Sequence, residues 1–369
     1  MIDDVAKKNQ RLISLDALRG FDMFWIIGGA YIFRPLEKIS DGAFVQGFCE
    51  QLHHVQWEGF RFYDLIMPLF LFMIGTALPF SVTKRLERGE SKVTLYKHII
   101  KRVIILVFLG MIVNGKLLSF TPSEMHLSYS VLQVLAVGYL VASFILLNFK
   151  PKAQIIITAA MLLTFWALMA WWPVPGFGRG DYSVEGNFGA YLNNLILGDL
   201  QTRWKGVPWI LNILTHGSTA MLGVFAGQIL RSSKENNKKL LSLVSLGAFC
   251  LLAGWLMSFS HPIIKKAWTS SFALWAGGFS YLILALFFFI IDMKGYKKWA
   301  FPFVVIGMNS IFIYMAASLF KFRLVADVLV KGLAQYVGPW YPSIQAFTAL
   351  LIMWLILYYM YKKRTFVKI

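Results

Sequence analysis

The sequence predicts an all-α, polytopic membrane protein, a bundle of about 10 transmembrane helices with both termini in the cytoplasm. Three observations predict it. Hydrophobic residues fill 58% of the 369 positions and charged ones only 15%, with a mean hydropathy of +0.62; a soluble domain is typically about half apolar and a quarter charged. Apolar stretches of roughly 20 residues, enough to cross about 30 Å of hydrocarbon, recur along the whole chain. The basic residues, finally, crowd into alternate connections.

The spans fall near 15–34, 62–82, 99–119, 128–148, 153–172, 209–230, 240–259, 271–291, 300–320 and 344–361. The first follows a polar segment, MIDDVAKKNQR, lacks a small-residue cleavage site and carries Asp16 and Arg19, so it reads as a retained span rather than a leader. With the N-terminus inside, 23 of the 36 Lys and Arg lie in cytoplasmic connections and 12 outside. That bias sets the orientation, and it gives the net charge of +18 a membrane partner, anionic lipid, with no need of nucleic acid. Cys49 lies in an outer connection and Cys250 inside a span, which argues against a disulfide, and no metal cluster is written in the chain. Trp57, Trp171, Trp172, Trp204, Trp209, Trp268, Trp299 and Trp340 sit at span ends, where indole is best solvated.

One continuous domain, 1–369, is expected, without low-complexity tracts or strict repeats. Its long outer connection, about 173–208, is rich in Gly, Pro, Asn and aromatics and predicts an ordered cap. A second outer stretch, KFRLVADVLVKGLAQYVGPWYP at 321–342, mixes charges with apolar residues at helical spacing and predicts a helix lying in the interface.

Asp64 stands within the first residues of the second span. An ionised aspartate at mid-helix costs on the order of 3 kcal/mol on insertion scales, less near the interface, so it needs a partner. His53 and His54, on the connection just above, are within reach. A carboxylate on one imidazole nitrogen fixes the tautomer and raises the basicity of the other, as a general base requires; a helix-tying carboxylate beside solvated histidines is the alternative reading. In the sixth span Asn212, His216, Thr219, Gly223 and Gly227 share one helix face, which suits either close packing or a polar cavity wall. Gln133, and Asn309 with Ser310 and Tyr314, pose the same choice. Asp16 and Arg19 are three apart and can pair, leaving a phosphate contact as Arg19's other reading. Lys97, His98, Lys101 and Arg102 open the third span and suit a lipid or nucleotide phosphate. No Walker loop and no GxGxxG occur.

Six blocks, SLDALRGFDMFWIIGG (14–29), HVQWEGFRFYDLIMPLFLFMIG (54–75), VPGFGRGDYSVEGN (174–187), LGVFAGQIL (222–230), HPIIKKAWTSSFAL (261–274) and FPFVVIGMNSIFIY (301–314), together resemble, in the same order, the heparan-alpha-glucosaminide N-acetyltransferase family and its bacterial relatives. The resemblance implies a multi-pass acyltransferase of the bacterial inner membrane. It would take an acetyl group from cytoplasmic acetyl-CoA and pass it to a sugar or amino sugar on the far side, with His54 as the catalytic histidine, either a general base or the carrier of the acetyl group, and Asp64 beside it. It further implies a homodimer. On that reading Arg19, Lys97, Lys101 and Arg102 are candidates for the coenzyme's phosphates. Trp57, Asp181, Glu185, Asn187, His216 and Asn309 are candidates for the acceptor. The chain departs from the family at four places: Ala30 stands where an asparagine is expected, VPWILNILTHG (207–217) replaces an Asp-Pro-Glu-Gly element, Pro262-Ile263-Ile264-Lys265 replaces P-x-N-K, and Val134 replaces an arginine. From the residues alone, a transporter or flippase remains the competing class, because polar stripes under a capping loop also describe a substrate path.

Overall fold

The computed structural model describes residues 12–120, 130–198 and 206–367, and among them the chain is helical, with two isolated β-bridges and no named strand. Trp204 and the rest of 199–205 lie outside the described residues. Among the described residues seven helices are long and apolar enough to cross a membrane, or eight if the bent pair around Asn309 counts as one span. The segment near 15–34 is not among the seven; it carries Asp16, Arg19, Asp22 and Arg34, and its helix breaks at Gly28. Helix Lys92–Val113 is not among them either; it carries Lys92, Lys97, Lys101 and Arg102 within its first three turns.

The chain divides into two compact units. One comprises Met1–His54, Arg61–Ile66 and Ile283–Lys368. Its centre is α1 (Ile13–Phe24), which packs on the later helix Phe301–Met308. The two touch through small residues. A Cβ on Gly20 would stand 1.7 Å from the Phe303 carbonyl oxygen, and one on Gly307 would stand 2.0 Å from that of Asp16. Phe21 and Phe24 flank the crossing, each with its ring against Phe303. After α1 the helix loosens into a π-type turn, Trp25–Gly29, where Gly28 takes φ 136°, a value that L-residues rarely adopt. Helix α2 (Ala43–Gln51) follows, and then the loop that enters α3 (Phe62–Leu78).

The other unit comprises Val55–Phe60 and Met67–Leu282, with the terminal residue. It holds the remainder of α3, then α4 (Lys92–Val113), α5 (Val131–Asn148), α6 (Pro151–Trp171), the short α7 (Phe188–Leu197), α8 (Asn212–Arg231), α9 (Asn236–Ser258) and most of α10 (Ser270–Phe287). Capping residues mark the starts. Ser91 accepts from the Thr94 amide, and Ser130 with Gln133 closes a reciprocal capping box. The central element is α8, most of whose residues are buried. Its glycine face is a packing face: Cβ atoms on Gly223 and Gly227 would fall 2.0 Å from the Phe72 oxygen and 2.3 Å from the Thr76 oxygen, both on α3. His216 and Thr219, on the same face, meet Trp268, whose ring stands edge-on to the imidazole at 4.6 Å and whose Nε1 donates to Thr219 Oγ1 at 3.1 Å. Trp268 therefore departs from the interfacial role its position suggests. It is fully buried, its indole N–H satisfied inside the bundle.

The connection 173–208 folds onto its own unit over its described length. Phe165, Met169, Val174, Phe188 and Leu211 form one apolar cluster beneath it. Trp57 Nε1 donates to the Tyr182 carbonyl at 2.7 Å, and the Gly59 amide donates to Ile263 O at 2.9 Å. Under the cap lies His261, with no exposed surface. The Ser270 amide donates to its Nε2 at 3.0 Å. An amide N–H can only donate, so the ring proton sits on Nδ1, 2.7 Å from the Tyr182 hydroxyl that accepts it. Burial pushes this imidazole down from 6.5 to about 3, and burial pushes the Tyr182 phenol up.

Two predictions arise. Gly223→Leu drives a side chain into the α3 backbone, and overpacking of this kind costs about 1–3 kcal/mol or more; the thermal midpoint in detergent should fall, and an unchanged midpoint refutes the close crossing. For His261, the unfolded chain binds the extra proton between pH 6.5 and about 3. Stability is therefore full above 6.5 and declines as pH falls, by up to about 1.4 kcal/mol per unit. Melting curves between pH 7 and 5 check this, and His261→Asn should flatten the acid slope.

Candidate functional site

The loop between α2 and α3 is fixed at both ends by its own side chains. Arg34 reaches up from the 3-10 turn Arg34–Lys38, and its Nε donates to the Leu52 carbonyl at 3.0 Å. The Phe62 amide, first in α3, donates to Gln51 Oε1 at 3.0 Å, and Arg61 pairs with Glu50. Between these anchors the two histidines take different partners. His53 Nε2 meets Glu37 Oε2 at 3.1 Å, and His54 Nδ1 meets Asp64 Oδ1 at 2.7 Å.

Asp64 has no exposed surface. It lies in the first turn of α3, where the helix dipole favours an anion, and its Oδ2 accepts the Arg61 amide at 3.1 Å. Both carboxylate oxygens are thus engaged. With Oδ1 accepting, His54 carries its proton on Nδ1 and the lone pair on Nε2. The imidazole side chain is 50% exposed, so a wholly buried acid holds a half-exposed imidazole.

Tyr63 lies against this pair. Its ring is 4.8 Å from the His54 ring, the Arg34 guanidinium lies 4.8 Å over it, and its hydroxyl donates to the Trp25 carbonyl at 3.3 Å. The same Arg34 lies 5.3 Å over Tyr31. Neither Tyr63 nor Arg34 stands out in the sequence; the available signals were an aromatic adjoining Asp64 and a cation at the end of the first span. Asp22 gives no clear sequence signal either. It is fully buried in α1, and both its carboxyl oxygens lack a hydrogen-bond partner among the described residues, as does Trp25 Nε1.

The other candidates are placed as follows. Asn187 caps α7, its Oδ1 accepting the Ala190 amide at 2.8 Å and its Nδ2 donating to Ser183 and Gly206 carbonyls. Asp181 Oδ1 accepts the Ser183 amide at 2.6 Å, and Glu185 is exposed. Trp57 spends its N–H on the cap, and His216 packs on Trp268. Asn309 lies in the other unit from these five, and its Nδ2 and Oδ1 hold Thr365 O and the Val367 amide at 3.1 and 2.9 Å. Arg19 pairs with Asp16 at 3.5 Å. On α4, Lys97 and Lys101 are exposed, while the Arg102 guanidinium lies 4.5 Å over Tyr139 with a buried Nε that has no hydrogen-bond partner among the described residues. That orphaned donor suits a phosphate oxygen. Ala30 is fully buried.

Comparison with known proteins gives the geometry a context. Residues 11–194 match a family model described as "Domain of unknown function (DUF5009)". The human heparan-alpha-glucosaminide N-acetyltransferase is 27% identical in an alignment covering 97% of this chain and 60% of that protein. The mouse protein of the same name is 28% identical over 86% of this chain and 56% of its own length. The chain thus spans about three fifths of the length of these curated relatives. Along most of its own length the chain is similar to these N-acetyltransferases, the likeness that the six sequence blocks carry.

Proposed function

We propose that the chain is a transmembrane acyltransferase that moves an acetyl group from cytoplasmic acetyl-CoA to a sugar or amino sugar on the extracytoplasmic side, with His54 as the general base. The observation that carries this reading is the 2.7 Å contact from His54 Nδ1 to the wholly buried Asp64, on a half-exposed imidazole. A relative named for N-acetyl transfer to glucosamine supports the reaction class.

In this mechanism Nε2 of His54 accepts the proton of the acceptor amine or hydroxyl as that group attacks the thioester carbonyl. The C–S bond then breaks, and the thiolate leaves with the proton returned by the imidazolium. Asp64 keeps the ring in the Nδ1–H tautomer and stabilises the imidazolium. Arg102, with Lys97 and Lys101 on the same helix, is assigned to the coenzyme's phosphates, and Arg19 is the weaker candidate because Asp16 already engages it. A bacterial inner-membrane location, cytoplasmic termini and a homodimer complete the proposal.

Two variants test it in proteoliposomes with labelled acetyl-CoA and a panel of amino sugars. His54→Ala should lower turnover about 10²- to 10⁴-fold, the usual contribution of a general base. Asp64→Asn should lower it strongly with little change in acetyl-CoA affinity; undiminished turnover would remove Asp64 from the mechanism. Accumulation of a solute without consumption of acetyl-CoA would instead mark a transporter.

A further inference from the structure

A cavity of about 440 Å³ opens in the same unit as His54, a size that ordinary ligand pockets share. It exists because α1 breaks. Gly28, at φ 136°, turns the chain between Ile27 and Tyr31, and both line the cavity. The other walls come from α11 (Ser310–Leu319), α12 (Phe322–Val330) and α13 (Tyr341–Lys362), the last contributing only the small side chains of Ala346 and Ala349 together with Gln345 and Met353. The lining is largely apolar, and its charged members are two cations, Lys321 and Arg323, both exposed. Asp327, one turn beyond Arg323, is outside the lining and is already bonded to Tyr341 and Gln345. Arg323 donates to Gln345 Oε1 at 2.9 Å and lies 5.5 Å over Tyr31.

An unbroken stack joins this cavity to the histidine. Arg323 and Arg34 both lie over the Tyr31 ring, Arg34 also lies over Tyr63, and Tyr63 lies against His54. Exposed Phe320 and Leu324 at the cavity wall leave it accessible to hydrocarbon. An apolar chamber with two cations at its mouth matches an amphiphile that carries a phosphate on a hydrocarbon chain: the chain fills the chamber and the phosphate meets Arg323 and Lys321. We infer that the acetyl acceptor is such an amphiphile, a sugar carried on a lipid phosphate, seated with its tail between the turn around Gly28 and α13 and its sugar toward His54. This inference rests on the acyltransferase reading and narrows its substrate class.

Two measurements on the full chain test it. In the first, proteoliposomes receive labelled acetyl-CoA with isoprenyl-phosphate-linked glucosamine, glucosamine 1-phosphate or free glucosamine. The lipid-linked sugar should show a KM at least about tenfold lower than either soluble sugar. Arg323→Glu should raise that KM about ten- to hundredfold, the range of a charged hydrogen bond, and Arg323→Lys should recover most of it. In the second, which needs no turnover, an isoprenyl-phosphate glucosamine with a diazirine on its chain is photolysed with the protein. It should label peptides 317–324 and 345–353, and Ala349→Trp, which fills the chamber, should abolish the label. Labelling without transfer to any acceptor overturns the acyltransferase reading and keeps the lipid site. Equal transfer to free glucosamine with no labelling overturns the lipid-borne acceptor and keeps the acyltransferase. Displacement of the label by phosphatidylglycerol as readily as by unlabelled probe identifies ordinary bilayer lipid and also overturns the proposal.

Discussion

Keeping a wholly buried carboxylate ionised costs several kcal/mol unless its oxygens are hydrogen-bonded, because an unpaired charge in a medium of low dielectric is poorly solvated. Asp64 meets that demand with the Arg61 amide on one oxygen and His54 on the other, at a helix start whose dipole favours the anion. The demand in turn fixes the loop. Only a loop held so that Arg61 and His54 both face one side chain can satisfy it, and the anchors from Arg34 to Leu52 and from Phe62 to Gln51 hold it so. The position of the imidazole thus follows from the need to bury Asp64 with partners.

This explains which parts of the site could be read in advance. The cost of an acid inside an apolar run singles out Asp64, and proximity in the chain singles out the histidine pair. Spacing did not decide between His53 and His54, because the deciding group, Glu37, comes from a turn sixteen residues earlier. Arg34 and Tyr63 stayed hidden for a related reason. Their roles lie in contacts across the loop, and neither residue is costly where it stands. Conversely, Asn187 and Asn309 look like ligand groups in the sequence, since a polar side chain in an apolar setting needs a partner. Backbone groups that the sequence does not pair with them supply that need.

The fold was legible at the level of apolar length and less so where helices break. Length and hydropathy mark a helix whether it is straight or broken, which is why an expectation of about 10 spans sits beside seven or eight helices that meet the length and composition test. Gly223 and Gly227 occupy a face whose spacing announces close packing, and α3 lies against it. Trp268 shows the opposite case. Its place at a span end suggests water, yet Thr219 offers its indole an acceptor inside the bundle, and with the N–H satisfied nothing holds the ring at the surface.

Helix breaks within an apolar layer release backbone groups and open space, and both are tolerated only where the chain, water or a ligand fills in. Two breaks in one unit answer this differently. At Asn309, where the helix bends by 67°, the amide side chain binds the Thr365 and Val367 backbone, so the protein closes its own gap. At Gly28 the space is left as a chamber, walled by alanines and fronted by Lys321 and Arg323. A gap that the chain fills is structural; one that it leaves open, lines with hydrocarbon, fronts with cations and connects by stacked rings to His54 is shaped for something brought from the bilayer. Asp64, which holds His54, and the break that opens the chamber lie on consecutive apolar stretches of the sequence, so one short length of chain sets both the His54–Asp64 pair and the chamber in the same unit.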